Sequence, residues 1–206
     1  MTTEEKFQRC LMQFGEIGVR VNQSITYEIL RKDSQWADWE LDDLRFNEFK
    51  FYLFWLLGLH TNIKKGTVEE EELIPYSKQV WYLDFERDGD VEYGNFIKRL
   101  NLLAENKFDF DEVENILQPT YGVKFLYRGK KYEWDFGHTD DWISWKFLEK
   151  LGQLPGVKRF DTEEKNYYMI QDGQGGIIHY NTASHIERLE KILGLNKKIE
   201  KLFSWE

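Results

Sequence analysis

A single cysteine, Cys10, leaves the chain without an internal disulfide, which fits a reducing compartment. Three prolines in 206 residues leave little room for long unstructured linkers. The longest apolar run, Phe51–Leu59, is far too short to span a bilayer. The N-terminus, Met1-Thr-Thr-Glu-Glu-Lys6, lacks the basic region and apolar stretch of a signal peptide. These absences predict a soluble cytoplasmic protein with no membrane partner. Positive charge is also in short supply, with 28 Lys and Arg against 37 Asp and Glu, a net charge of −9. The deficit is local. Thr67–Glu114 holds 14 acidic residues and 5 basic ones, so the rest of the chain is neutral. A field of that sign disfavours nucleic acid and attracts basic partners. A solvated acidic face that serves only solubility is the plainer explanation.

Aromatic residues are plentiful: 8 Trp, 11 Tyr and 15 Phe make up 17% of the chain. A chain of this length buries most of its unfolded surface, so it can build a real core from them. The length allows one compact domain or two small packed ones.

The first two thirds read as helical. Phe7, Cys10, Leu11, Phe14, Ile17, Val21, Ile25 and Ile29 recur at three- and four-residue spacing, which predicts one long helix or two over Thr2–Arg31. A second helix is expected from about Leu41 to Leu59, apolar nearly all round and therefore central. Acidic residues at Thr67–Glu72 open a third, running through Val80 and Leu83. Glu92–Glu105 gives a fourth, and Asp109–Leu117 a short fifth that ends before Pro119.

The last third changes character. Val123–Arg128 and Lys130–Trp134 are short aromatic and β-branched runs around Gly129, the pattern of a β-hairpin. A helix is expected over Asp140–Leu151, with Thr139 or Asp140 as N-cap. Lys158-Arg-Phe160 reads as a strand start. Asn166–Ile170 and Gly176–Tyr180 read as strands joined by the glycine-rich Asp172–Gly176 turn. Thr182 or Ser184 caps a final helix, and Leu195–Trp205 adds an amphipathic tail. The fold class is therefore α+β: a mainly helical part over residues 1–118 and a ββαββα-like part over 119–206. The hairpin and the strands near Tyr168 and Ile178 are expected to share one antiparallel sheet covered by helices.

The sharpest motif is Asp84–Phe96. Asp84, Glu86, Asp88, Asp90 and Glu92 occupy the odd positions of an EF-hand loop and Gly89 the sixth, with helices expected on both sides. The stretch resembles an EF-hand, which would make Asp84, Glu86, Asp88 and Asp90 calcium ligands. Two departures weaken it: Glu86 is bulkier than the usual third ligand, and Asn95 replaces the bidentate carboxylate. An acidic turn is the alternative. The glycine-rich turn lacks the lysine and hydroxyl of a phosphate loop. Cys10 with His138, His179 or His185, or a serine with any of these, is conceivable for a hydrolase, but no spacing favours a set. No catalytic residue is assigned. The remaining class is protein binding, in which Glu86, Asp88, Asp90, Glu92 and Tyr93 form the contact. Trp81, Tyr82, Phe85, Phe96, Phe108 and Phe110 would supply nearby anchors.

From Phe125 onward the chain resembles small immunity proteins of bacterial polymorphic-toxin systems. The similarity lies in Phe125–Tyr132, Asp140-Asp-Trp-Ile-Ser-Trp145, Lys158-Arg-Phe160 and the Gly-Gln-Gly-Gly turn before the last strand and helix. It implies an acidic, non-enzymatic protein that needs no cofactor and blocks a cognate toxin. No individual site residue follows from it.

Overall fold

The structure is a computed structural model that describes residues 1–23, 26–34, 43–64, 71–84, 93–117, 119–137, 143–157, 164–172, 175–196 and 198–203. It is α+β, with helices α1 (Thr3–Gly15), α2 (Tyr27–Ser34), α3 (Phe46–Leu57), α4 (Tyr93–Leu103), α5 (Trp145–Gly152) and α6 (Ala183–Leu193). The strands are β1 (His60–Lys64), β2 (Glu71–Pro75), β3 (Val80–Asp84), β4 (Phe110–Ile116), β5 (Gly122–Tyr127), β6 (Lys130–Asp135), β7 (Asn166–Asp172), β8 (Gly175–Asn181) and β9 (Glu200–Lys201). All pairings are antiparallel, in sheets β1-β2, β3-β8-β7-β9 and β4-β5-β6.

Local chemistry starts α1 cleanly. The Thr2 hydroxyl accepts from Glu5 N at 3.2 Å, and Thr2 N donates to the Glu5 carboxylate at 2.7 Å, a reciprocal cap for two otherwise orphaned donors. The helix buries Phe7, Cys10 and Phe14 against α3. α3 buries Phe49, Tyr52, Leu53, Phe54, Leu56 and Leu57, which explains its nearly all-round apolar pattern. Gly58 follows because β3 passes against it. Tyr82 N donates to Gly58 O at 2.8 Å, and a Cβ on Gly58 would sit 2.5 Å from Tyr82 N.

The four-stranded sheet divides the interior in two. Residues alternate along each strand, as the pleat requires. Leu83, Tyr167, Ile178 and Tyr180 face a core shared with α4, α5 and the β4-β5-β6 sheet. Val80, Tyr168 and Ile177 face a second core shared with α1, α3 and α6. β8 is buried at every position, so this sheet departs from the common antiparallel case with one wet face.

Two expected helices are strands. The acidic stretch expected to begin a helix runs instead into β2 and then β3, which pairs with β8. Val80-Trp-Tyr-Leu83 has the β-branched and aromatic composition of a strand, and burial on both faces decides the matter. Asp109–Leu117 contains β4. Its register slips between Asp111 and Glu114, and Glu112 adopts a φ of 49°. That bulge adds a residue, so the half-buried Phe110, Val113 and Ile116 recur every three positions and mimic a helix.

The hairpin stands where expected. Arg128 and Gly129 both have positive φ, 51° and 72°, as a two-residue primed turn demands. Phe125 stacks on Tyr132 across the strands at 5.2 Å. The single sheet joining β5, β6, β7 and β8 does not form. β4 takes the free edge of β5 and β3 that of β8, and these are the strands that read as helices. Both pairings also cross the expected division near residue 118, and the described residues of 1–118 contain four strands beside four helices. α4 lies within the expected Glu92–Glu105. α5 begins later than expected, at Trp145, with Ser144 at its cap position; Thr139 and Asp140 lie outside the described residues. Lys158-Arg-Phe160 lies outside them too. Thr182 caps α6 through its hydroxyl, and the tail folds back as β9 with Ile199, Leu202 and Phe203 buried. Among the described residues no helix is long and apolar enough to cross a membrane.

A polar network sits inside the second core. His179 Nδ1 donates to Gln79 O at 2.6 Å, so Nε2 carries the lone pair and accepts from Asn181 Nδ2 at 3.0 Å. Asn181 Nδ2 also donates to Ile17 O at 2.7 Å, tying β8 to the end of the α1 segment. Burial is the main cause that lowers the His179 pKa from 6.5 to about 4. The folded state therefore resists a proton that the unfolded chain accepts. Stability is fully present above pH 6.5 and is lost as pH falls towards 4, by about 3 kcal/mol in all. Urea denaturation across that pH range should show this decline, and His179→Gln should flatten it. A wild-type profile that is level from pH 6.5 to 4 contradicts the assignment.

Candidate functional site

The acidic segment is the candidate that the sequence singles out by charge. Asp84 ends β3 and is exposed. Residues 85–92 lie outside the described residues, so the positions of Glu86, Asp88, Asp90 and Glu92 are not stated. The chain resumes at Tyr93, the first residue of α4. Gly94 N donates to the Asn115 side chain at 2.6 Å, which fastens the start of α4 to β4. A Cβ at Gly94 would lie 2.7 Å from that same oxygen, so glycine permits the approach.

β4 and the residue before it carry four of the 14 acidic residues of Thr67–Glu114. Asp109, Asp111, Glu112 and Glu114 are all exposed, and none of the four is in an ion pair among the described residues. Among the described residues β4 is an edge strand, paired with β5 on one side. The bulge at Glu112 bends it and places two residues opposite one, so neighbouring carboxylates are splayed along the edge. Glu105 is engaged elsewhere, 3.8 Å from Lys165. The exit of the acidic loop and the acidic edge are thus held together by the Gly94–Asn115 bond.

Tyr93 was expected on the recognition face and is instead a core residue. It is fully buried between Phe136 and Phe147 at 4.8 and 4.7 Å, and its hydroxyl accepts from Ser144 N at 3.3 Å. Its position in the first turn of α4 turns it inward, where helix burial outweighs proximity to the acidic run. Phe96 and Phe108 are buried as well, Trp81 packs on Phe96 at 4.9 Å, and Tyr82 packs on Trp55 at 5.3 Å. Phe110 is half-buried, and Phe85 lies outside the described residues. The accessible chemistry here is carboxylate, with the aromatic residues serving as its scaffold.

The EF-hand reading meets a different context. Asp84 ends strand β3, so the helix expected before the motif is a strand, while α4 stands after it. Asn95 falls in the first turn of α4 and is exposed. Among the described residues no cluster of His, Cys, Asp and Glu could hold a metal ion.

Cys10 and His179, two members of the nucleophile reading, hold structural positions. Cys10 is wholly buried, and burial pushes its thiol up to about 12, with Lys50 and Arg9 only partly offsetting this. His179 is committed to the Gln79–Asn181 network. His185 Nδ1 lies 3.0 Å from the Thr182 hydroxyl that caps α6, and His138 lies outside the described residues. The β4 edge, by contrast, could have been found in the sequence from Asp109-Phe-Asp-Glu-Val-Glu114 had the bulge been foreseen. No known protein family, curated protein or solved structure matches the chain.

The Cys10 environment gives a direct check. Alkylation of the native protein at about pH 8 should run at least about a hundredfold slower than alkylation of the urea-unfolded chain. Comparable rates would mean that the thiol is exposed or activated, which reopens the nucleophile reading.

Proposed function

We propose that this protein is a cytoplasmic binding protein of the immunity or inhibitor kind, whose acidic segment docks a basic protein partner such as a toxin. The observation that carries the reading is the exposed edge strand β4. It combines unpaired carboxylates with a strand edge, next to the anchored exit of the acidic loop. Carboxylates of this kind attract a basic partner from a distance and accept its Lys and Arg donors on contact. An open strand edge adds main-chain hydrogen bonding to an extended segment of that partner. The same charges keep the acidic edges of two copies from pairing with each other. Bending by the bulge narrows the choice further, since a flat strand does not match a kinked edge.

The resemblance of the last third to toxin-immunity proteins supports the same reading. The buried Cys10 and the structural role of His179 speak against the pairings that the hydrolase alternative would draw from them.

The test begins with capture of the partner from the native host and continues with association kinetics. Two charge-neutral variants are compared with wild type: Asp109→Asn/Asp111→Asn/Glu112→Gln/Glu114→Gln, and Glu86→Gln/Asp88→Asn/Asp90→Asn/Glu92→Gln. Asp109, Asp111, Glu112 and Glu114 are exposed, and exposed charges contribute little to folding, so the melting temperature of the first variant should hardly move. Association at low salt should slow by roughly tenfold in at least one variant, with a shallower dependence on ionic strength. Unchanged association rates in both variants would remove the acidic interface.

A further inference from the structure

Among the described residues, the large apolar side chains that remain exposed are Met1, Met12, Leu117 and Trp145. Trp145 is the bulkiest of them and is 55% exposed. The rest of α5 follows the amphipathic rule: Phe147, Leu148 and Leu151 are buried, while Lys146, Glu149 and Lys150 are exposed. Phe147 lies against Tyr93, Phe96 and Phe136, which fixes the inward face of the helix. Trp145 stands two residues earlier, about 200° round the helix, and so faces water among charged neighbours. An indole in that position adds little to the core, and tryptophan is one of the residues enriched among those that carry binding energy at interfaces.

Two hydrogen bonds mount this indole beside the acidic edge. Ser144 N donates to Tyr93 Oη at 3.3 Å. The next residue of α4, Gly94, donates through its N to Asn115 Oδ1 at 2.6 Å. Asn115 lies one residue past Glu114 in β4, and Leu117, 46% exposed, directly follows the strand. The starts of α4 and α5 and the end of β4 are therefore neighbours. Exposed apolar surface from Trp145 and Leu117 stands where the exposed carboxylates of β4 come to an end.

We infer that Trp145 anchors the partner of this surface by taking an arginine side chain flat on its indole, while the β4 carboxylates take further basic groups of the same segment. The inference rests on the acidic-interface reading and names the chemistry of its partner, a basic, arginine-bearing segment. Charge complementarity selects a basic segment, since Asp109, Asp111, Glu112 and Glu114 are exposed. The indole face then selects arginine over lysine. A guanidinium is planar and weakly hydrated, so it stacks on an aromatic face and still donates from its edge to a carboxylate, whereas an ammonium is compact and strongly hydrated. Leu117 adds apolar surface for the aliphatic stems of such side chains.

Fluorescence anisotropy of fluorescein-labelled octa-arginine and octa-lysine with the full chain at low salt tests the inference. The two peptides carry equal charge, and each extends over about 26 Å, enough to run the length of β4. Wild type is expected to bind octa-arginine at least about threefold more tightly than octa-lysine. Trp145→Leu keeps apolar bulk and helix propensity but removes the ring, so it should melt as wild type does and bind the two peptides alike. Trp145→Phe should retain part of the preference. Asp109→Asn/Asp111→Asn/Glu112→Gln/Glu114→Gln should weaken both peptides by about tenfold and keep the preference. Equal binding of the two peptides by wild type, or an undiminished preference in Trp145→Leu, would overturn the anchor and leave the acidic reading standing. Affinities unchanged by the β4 substitutions would overturn the acidic reading, and with it the partner chemistry inferred here.

Discussion

The pairing of β3 with β8 is the constraint on which the rest of the structure depends. β8 is covered on both faces, and it is held between β3 and β7 along its whole length. Each backbone group of such a strand must find its partner in the sheet, because water cannot reach it. The pleat then sorts the side chains without further help. Ile178 and Tyr180 pass to one core, and Ile177 and His179 to the other. The two cores therefore have a common wall, and elements far apart in sequence become neighbours through it.

Each side of that wall uses a different material. One core is aliphatic and aromatic helix packing: Phe14 against Phe54 at 5.4 Å, with Ile186, Leu189 and Leu193 of α6 closing it. The other is an aromatic cluster in which Phe147 of α5 touches Tyr93, Phe96, Trp134 and Phe136. Lys150 lies over the Trp134 and Phe136 rings at 5.7 and 5.6 Å, so its stem covers aromatic surface while its charge remains near water. Two polar side chains near the wall bond to backbone: Tyr167 Oη donates to Leu100 O at 2.8 Å, and Arg99 Nη2 donates to Ser77 O and Val80 O at 3.3 and 3.2 Å. These bonds anchor α4 and β3 at fixed positions, and that in turn sets where the acidic segment leaves and rejoins the fold.

Charge and packing have been kept apart in this protein. The acidic excess lies in Thr67–Glu114, the stretch that also supplies β3 and α4 to the interior. Its aromatic residues turn inward and its described carboxylates outside the β1-β2 pair face water, so the same sequence stretch serves both the core and the surface.

The sequence alone determined whatever rests on local rules. The α1 cap, the primed turn at Arg128-Gly129, the β7 and β8 strands, the Thr182 cap and the burial of Cys10 follow from neighbours within a few residues. The localisation of the negative charge was legible for the same reason, since it needs only counting along the chain. Tertiary structure decided the rest. β3 is a strand because β8 pairs with it about a hundred residues later, and β4 is a strand whose bulge disguises its period. Tyr93 is buried because α4 turns it towards Phe147, and the Tyr168 hydroxyl is stranded because α6 and the tail close over β7. None of these has a local signature: each depends on which distant segment removes water from the residue, and a one-dimensional pattern does not carry that information.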